Sequence, residues 1–390
     1  MGGAGIVNFP LEDAFSTMYP HRSKSSRSLL SITVAVAFAT GLVACSSDAK
    51  KATETSASVK ATVATRASPT TVAPTTVAPT TVPVTTTTVP ATTTTVPGPP
   101  VYPLTGVEIA DPALTGHVAL VVKIDNAPPA RPQTGFNEAD LVFEEIVNAN
   151  LTRFAMVFQS QGSNQVGPIR SGRIQDINLF SALNRPLFAW SGGNATVTAA
   201  IRDSELIDIG PSRSNVYFRT RDRGAPFNLY SSTDALWTNT PVYAGPPPQQ
   251  FSYRAPDAPA AGVASPGVAV TLDSINVRWD WDAQAGLYRR MMEGRVHNDA
   301  SSGQVTTNNV VVLNMEYLPG ISDSPDAQTI GTGEAFVFTG GNYIHAKWTR
   351  NGLHDPFALT ADDGSVVKLH PGRTFIELPR PGNTLALPAS

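Results

Sequence analysis

From Ser46 to about Pro100 the chain is built almost wholly of Thr, Val, Pro, Ala and Ser, and this stretch decides how much of the molecule can fold. The near-repeats Thr70-Thr71-Val72-Ala73-Pro74, Thr75-Thr76-Val77-Ala78-Pro79 and Thr80-Thr81-Val82-Pro83 place a proline every few residues. Each proline fixes φ and removes an N–H donor, so neither a helix nor a sheet ladder can run through the segment. An extended, disordered tether is expected, rising at most ~3.1 Å per residue and reaching on the order of 150 Å. Its threonine density also fits O-glycosylation. Folding is left to the roughly 290 residues from Val101 onward, enough for two modest domains.

Ahead of the tether, Leu42-Val43-Ala44-Cys45 form a lipobox at the end of an apolar stretch. His21, Arg22, Lys24 and Arg27 supply a positive n-region, and Leu29 to Val43 an h-region too short and interrupted to span a bilayer. This is the pattern of a bacterial lipoprotein signal running from Met18 to Ala44. Cleavage before Cys45 would leave that thiol carrying lipid such as palmitate. Residues 1–17, with Glu12 and Asp13 where a signal is basic, read as an extension upstream of the true initiator. The expected location is the outer face of the cytoplasmic membrane, with the folded part reaching into the cell wall.

The chain has a single cysteine, already assigned to lipid, so no disulfide framework or thiol nucleophile remains. A net charge of -3 offers no electrostatic footprint for nucleic acid. His-Glu-x-x-His, a Walker loop and a Gly-x-Ser-x-Gly elbow are all absent. None of the six histidines falls within residues 118–235, so a Ser-His triad cannot be assembled from that part alone. No cofactor or metal is implied.

Within residues 101–240 the pattern alternates strands and helices. Val118 to Ile124 is a continuous apolar run, read as a buried strand ending in Asp125-Asn126. Leu141–Val147, Arg153–Phe158 and Leu187–Trp190 read as further strands. Ile174, Ile177, Phe180 and Leu183 are spaced for a helix. A second helix is expected after Asn194 as N-cap, with Val197, Ala200 and Ile201 on one face. Residues 241–266 are a Pro/Ala-rich connection. Residues 267–390 read as mainly β, with strands around Val268–Leu272, Ile275–Trp281, Leu287–Arg289, Asn309–Leu313, Gly333–Phe338 and Phe375–Leu378. The fold class expected is a mixed-sheet α/β N-terminal domain followed by a mainly β C-terminal domain.

Arginines gather at the turns between strands and helices. Arg170 and Arg173 flank Ser171-Gly172 at the start of one helix, and Gly192-Gly193 precede the next. Helix N-termini carry partial positive charge and guanidinium groups donate in pairs, so two such turns at one sheet edge make an anion cup. Asp125, Arg131, Glu144, Arg153, Arg170, Ser171 and Arg173 are expected to converge there, with Gly192, Gly193 and Asn228 nearby. The competing reading pairs these arginines with Asp125, Glu144, Glu145 or Asp176 as architecture. Glu144 and Glu145 are adjacent in a strand and point to opposite faces, so they cannot chelate one metal together. Trp279, Trp281, Tyr288 and Trp348 read as core aromatics ahead of sugar-stacking platforms.

Several stretches carry a resemblance. These are Pro103-Leu104-Thr105-Gly106, Asp125-Asn126 with Ala130-Arg131-Pro132-Gln133-Thr134-Gly135, and Ala139-Asp140-Leu141-Val142-Phe143-Glu144. They continue with Thr152-Arg153-Phe154, Gly167-Pro168-Ile169-Arg170-Ser171-Gly172-Arg173 and Ala225-Pro226-Phe227-Asn228-Leu229-Tyr230. Together with Lys347-Trp348 and His370-Pro371-Gly372-Arg373-Thr374-Phe375, this pattern resembles the YerB-like bacterial lipoproteins, departing from it at Gly172 and Phe375. The resemblance implies a two-domain extracytoplasmic lipoprotein and supplies no activity, so no catalytic residue is carried over. The function expected is non-catalytic binding or scaffolding of an anionic envelope ligand, such as a cell-wall polymer or a lipid-linked glycan. The alternatives are a hydrolase or transferase of phosphodiester-linked envelope glycans, with Asp125 or Glu144 as base or metal ligand, and a protein-interaction module of an envelope complex.

Overall fold

The computed structural model describes residues 99–109 and 116–389. The signal, Cys45 and the Thr/Pro tether lie outside the described residues.

The first strands form where apolar runs are long enough to be covered on both faces. β1 (Leu120–Asp125), β2 (Leu141–Val147) and β3 (Leu151–Phe158) are buried along nearly their whole length. β3 pairs antiparallel with both β1 and β2. β4 (Leu187–Ala189) then pairs parallel with β1, and β5 (Ile207–Asp208) parallel with β4. α1 (Gln175–Phe180) and α2 (Ala195–Asp203) precede β4 and β5 as crossover helices. α2 begins as its sequence dictates: the Asn194 side chain accepts from the Val197 N–H at 2.8 Å, and Val197 and Ile201 are buried.

The sheet does not stop at the expected domain boundary. Thr374–Leu378, near the end of the chain, pairs parallel with β2 on one side and with Asn309–Leu313 on the other. Gly331–Thr339, Asn342–Arg350 and Ala358–Ala361 extend it antiparallel, and the short Val263–Ala264 pairs with Asn342–Arg350 as the eleventh strand. The expected mixed-sheet α/β domain followed by a mainly β domain is met in part: the mixed sheet is present, but strands of both segments build it. The molecule is mostly strands with few helices, and its N- and C-terminal segments share one mixed sheet. A strand's own sequence reports its burial but not its hydrogen-bonding partner, which here lies more than two hundred residues away.

A second, antiparallel sheet of Gly267–Leu272, Ile275–Asp282, Leu287–Met292 and shorter strands packs on one face of the first. Side-chain alternation divides the core accordingly. Leu120, Val122, Phe154 and Phe375 meet Val268, Val277 and Trp279 between the sheets. Val121, Phe143, Val157 and Ile376 join Phe180, Val197 and Ile201 on the opposite face. Trp279, Tyr288 and Trp348 are buried core aromatics.

Candidate functional site

The turn after β3 is fastened to the end of β1 before it reaches α1. The Asp125 N–H donates to Pro168 O at 3.0 Å, and the Arg170 N–H donates to Lys123 O at 2.8 Å. The turn after β4 is then tied to it: the Ser191 N–H donates to Arg170 O at 3.0 Å and the Gly172 N–H to Gly192 O at 3.3 Å. Gly172 allows this approach, because a Cβ there would lie 2.8 Å from Trp190 Cε3. The side chain of Trp190 therefore occupies the space that an alanine at 172 would need.

These two turns enclose an open cleft of about 480 Å³ lined by Arg170, Ser171, Arg173, Gly192, Gly193 and the N-terminus of α2. Arg219 closes a further side, and Ile321, Ser322 and Ser324 reach in from the C-terminal segment, whereas Asp323 is not among the lining residues. The first-turn N–H groups of Ala195 and Thr196 have no acceptor within the helix, since such acceptors lie before its start. Potential from the helix end and from three guanidinium groups is thus directed into one space.

Counter-charge is sparse in the cleft. Arg170 Nε lies 3.0 Å from Asp125 Oδ2, but neither atom is aligned for a hydrogen bond. Asp125 is further engaged through Oδ1, which accepts from the Ala127 N–H at 3.1 Å. Arg173 donates to Gly172 O at 3.0 Å and to Asn148 Oδ1 at 2.8 Å, both neutral acceptors. Beneath them, Arg153 donates to Ser171 O at 2.9 Å. Burial and the neighbouring Arg173 push Arg153 down to about 9, and burial, aided by Arg170, lowers Arg173 against the opposing pull of Asp176. Positive groups crowded this way gain from any anion that enters.

Of the residues expected to converge, Arg170, Ser171, Arg173, Gly192 and Gly193 line the cleft, and Asp125 and Arg153 lie under it. Asn228 is buried and positions Arg219, whose Nη1 donates to its Oδ1 at 2.7 Å. Arg131 and Glu144 do not join. Arg131 turns the other way at the end of β1, holding Asn126 O at 2.8 Å and pairing with Glu293 in a second cleft. Glu144 points between the two sheets, where strand alternation sends it, so no acid–base or metal pairing with Asp125 is possible at the arginine cleft. Arg219, Asn148, Ser191 and Ser322 line the cleft outside the expected set. Nothing in local spacing signals that a loop near residue 322 returns to this turn.

The three buried glutamates have cationic partners. Glu144 and Glu377 share Arg290, whose side chain is fully buried, and Glu377 Oε1 accepts from Trp279 Nε1 at 2.9 Å. Arg290 Nη1 also contacts His297 Nδ1 at 2.7 Å; burial and Arg290 hold this imidazole well below its usual range, hence neutral. Glu145, on the other face, meets Lys123, which also binds Asp176 Oδ1 at 2.8 Å. Burial outweighs Asp176 and pushes Lys123 down to about 8. Among the described residues no three His, Cys, Asp or Glu side chains are grouped to hold a metal.

Comparison with known proteins places this arrangement among relatives. Residues 104–243 match the family described as "Protein of unknown function (DUF3048) N-terminal domain", and residues 268–376 match the corresponding C-terminal domain. The chain is 27% identical over 292 residues to "Putative lipoprotein YerB" of Bacillus subtilis (strain 168), covering 71% of this chain and 85% of that relative. The crystal structure of the YerB protein from Bacillus subtilis aligns with a TM-score of 0.64 at 23% identity, over 73% of this chain and 98% of that one. At that identity the structural likeness speaks for the fold alone.

Proposed function

The chain belongs to the YerB-like family, and from that footing we propose that it is a lipid-anchored, non-catalytic binding protein whose arginine cleft holds an anionic cell-envelope ligand. The observation that carries the reading is the cleft itself. Arg170, Arg173 and Arg219 surround about 480 Å³ of open space, and Asp125 is ion-paired with Arg170 alone among them. Hydroxyl and amide groups of Ser171, Ser191, Ser322 and Asn194 supply neutral partners suited to sugar hydroxyls. A volume in this range suits a small-molecule group. A phosphorylated sugar unit of a wall polymer or lipid-linked glycan combines both chemistries.

Anchoring through Cys45 is supported by the lipobox and by the lipoprotein name of the relative. On this reading the folded part stands outside the cytoplasmic membrane at the end of the Thr/Pro tether. The reading is non-catalytic because Asp125, the carboxylate under the cleft, is already engaged by Arg170 and the Ala127 N–H.

Calorimetric titration of the full chain in non-ionic detergent tests the site, with glucose 1-phosphate as probe and glucose as its neutral control. The phosphorylated sugar binds and glucose does not. Arg170→Ala or Arg173→Ala weakens binding about tenfold or more, as loss of a charge-assisted hydrogen bond requires. Equal heats for the two sugars, or variants that bind as the parent does, would refute the assignment.

A further inference from the structure

A second cleft of about 540 Å³ lies at the other side of the same strand end, lined by Arg131, Glu293 and Arg295 with the neutral His297, Pro132 and Val296. The two clefts are anchored on consecutive residues. Asp125 pairs with Arg170 in the first, and Asn126 O accepts from Arg131 in the second. Successive Cα atoms are only about 3.8 Å apart, so the anchors are immediate neighbours across the end of β1.

Arginines also occupy the ground between. Asn228 binds Arg219 of the first cleft through its Oδ1, and its Nδ2 donates to Arg223 O at 3.0 Å. Arg223 in turn donates to Pro132 O at 2.8 Å, at the wall of the second cleft. Arg221, on the same loop, is exposed, as is Arg295. The carboxylates paired along this path are Asp125, Asp222 and Glu293, with Arg170, Arg223 and Arg131 respectively. Among the described residues Arg219, Arg221 and Arg295 form no ion pair, and Arg173 feels Asp176 and Asp125 without a direct one, in a chain whose net charge is -3. Positive charge gathered around one strand end of an acidic protein creates a local field that the whole-chain charge conceals.

We infer that the ligand is a linear, repeating polyanion, of the phosphodiester or polyphosphate class, that occupies both clefts and crosses the end of β1 over the 219–228 loop. The inference rests on the anion reading of the first cleft and deepens it. A single small anion fills one cleft. A chain of anions engages both, and its second contact is intramolecular, which multiplies affinity without new chemistry.

The full chain in non-ionic detergent is titrated with pyrophosphate and with long-chain polyphosphate over a range of salt concentrations. Polyphosphate binds at least about tenfold tighter than pyrophosphate, because the second cleft is engaged at high effective concentration. Arg295→Ala and Arg221→Ala, both surface substitutions, each weaken polyphosphate several-fold and lower its salt slope by about one, while pyrophosphate affinity moves less than about twofold. Arg170→Ala weakens both probes. The inference is overturned if Arg295→Ala and Arg221→Ala leave polyphosphate binding and its salt slope unchanged while Arg170→Ala still weakens pyrophosphate. In that outcome the single-cleft function survives alone. Indifference of both probes to Arg170→Ala would remove the cleft assignment itself, and the bridging ligand with it.

Discussion

Glu144 and Glu377 sit opposite one another on parallel neighbouring strands, and both reach the buried Arg290. One guanidinium cannot neutralise two carboxylates away from water. Burial, with Glu144 close by, pushes Glu377 up to about 8. The folded state therefore keeps a proton on Glu377 that the unfolded chain releases near the ordinary carboxyl range. Between those limits folding takes up a proton, so stability falls as pH rises through about 8, and the contribution is fully present below the unfolded pKa. The slope approaches ~1.4 kcal/mol per pH unit. Glu377→Gln keeps a neutral hydrogen-bonding group beside Glu144 and removes the titration. Urea unfolding from about pH 5 to 8 should then give a flatter profile than the parent; identical slopes would contradict the protonated pair. This network was not legible in advance. The sequence shows that adjacent Glu144 and Glu145 face opposite ways, but not that Arg290 and Glu377 complete one face while Lys123 and Asp176 complete the other. Local alternation is encoded in two residues; a partner a hundred residues distant is not.

Elements were read far better than their neighbours. The runs at β1, β2 and β3 are apolar throughout because both sheet faces are covered, and that signature is visible residue by residue. Asn194 announces α2, and the cap is made as its side chain allows. By contrast Asn342–Arg350 went unnoticed, since Asn342, His345, Lys347 and Arg350 interrupt its apolar residues, although it holds the centre of the C-terminal hairpins. The strand Thr374–Leu378 was recognised, but its place beside β2 was not. That placement has a consequence. A fragment ending before residue 267 lacks the strand that covers the β2 edge and the sheet that covers Val122 and Phe154, leaving buried polar backbone and apolar surface exposed. Such a fragment should show no cooperative urea transition, whereas residues 99–389 should unfold in one. Independent two-state folding of the fragment would contradict the shared-sheet account.

At the scale of the whole molecule, the fold gathers one strand end, two helix-preceding turns and a loop near Ser322 around the arginine cleft. Its core was legible as an anion cup because Gly-rich turns and arginines cluster in sequence at residues 170–173 and 192–194. Its rim was not, because Arg219 and Ser322 arrive from distant loops, and Arg131 and Glu144 were drawn in by nearness along the chain rather than in space. The central claim is that anions bind where Arg170 and Arg173 converge. It is tested most directly by following arginine Nε–H resonances of the full chain during a glucose 1-phosphate titration, assigned through Arg170→Lys and Arg173→Lys. The account predicts that the Arg170 and Arg173 signals shift in a saturable manner, while those of buried Arg290 and Arg350 stay fixed. Saturable shifts at other arginines, with Arg170 and Arg173 unmoved, would contradict it.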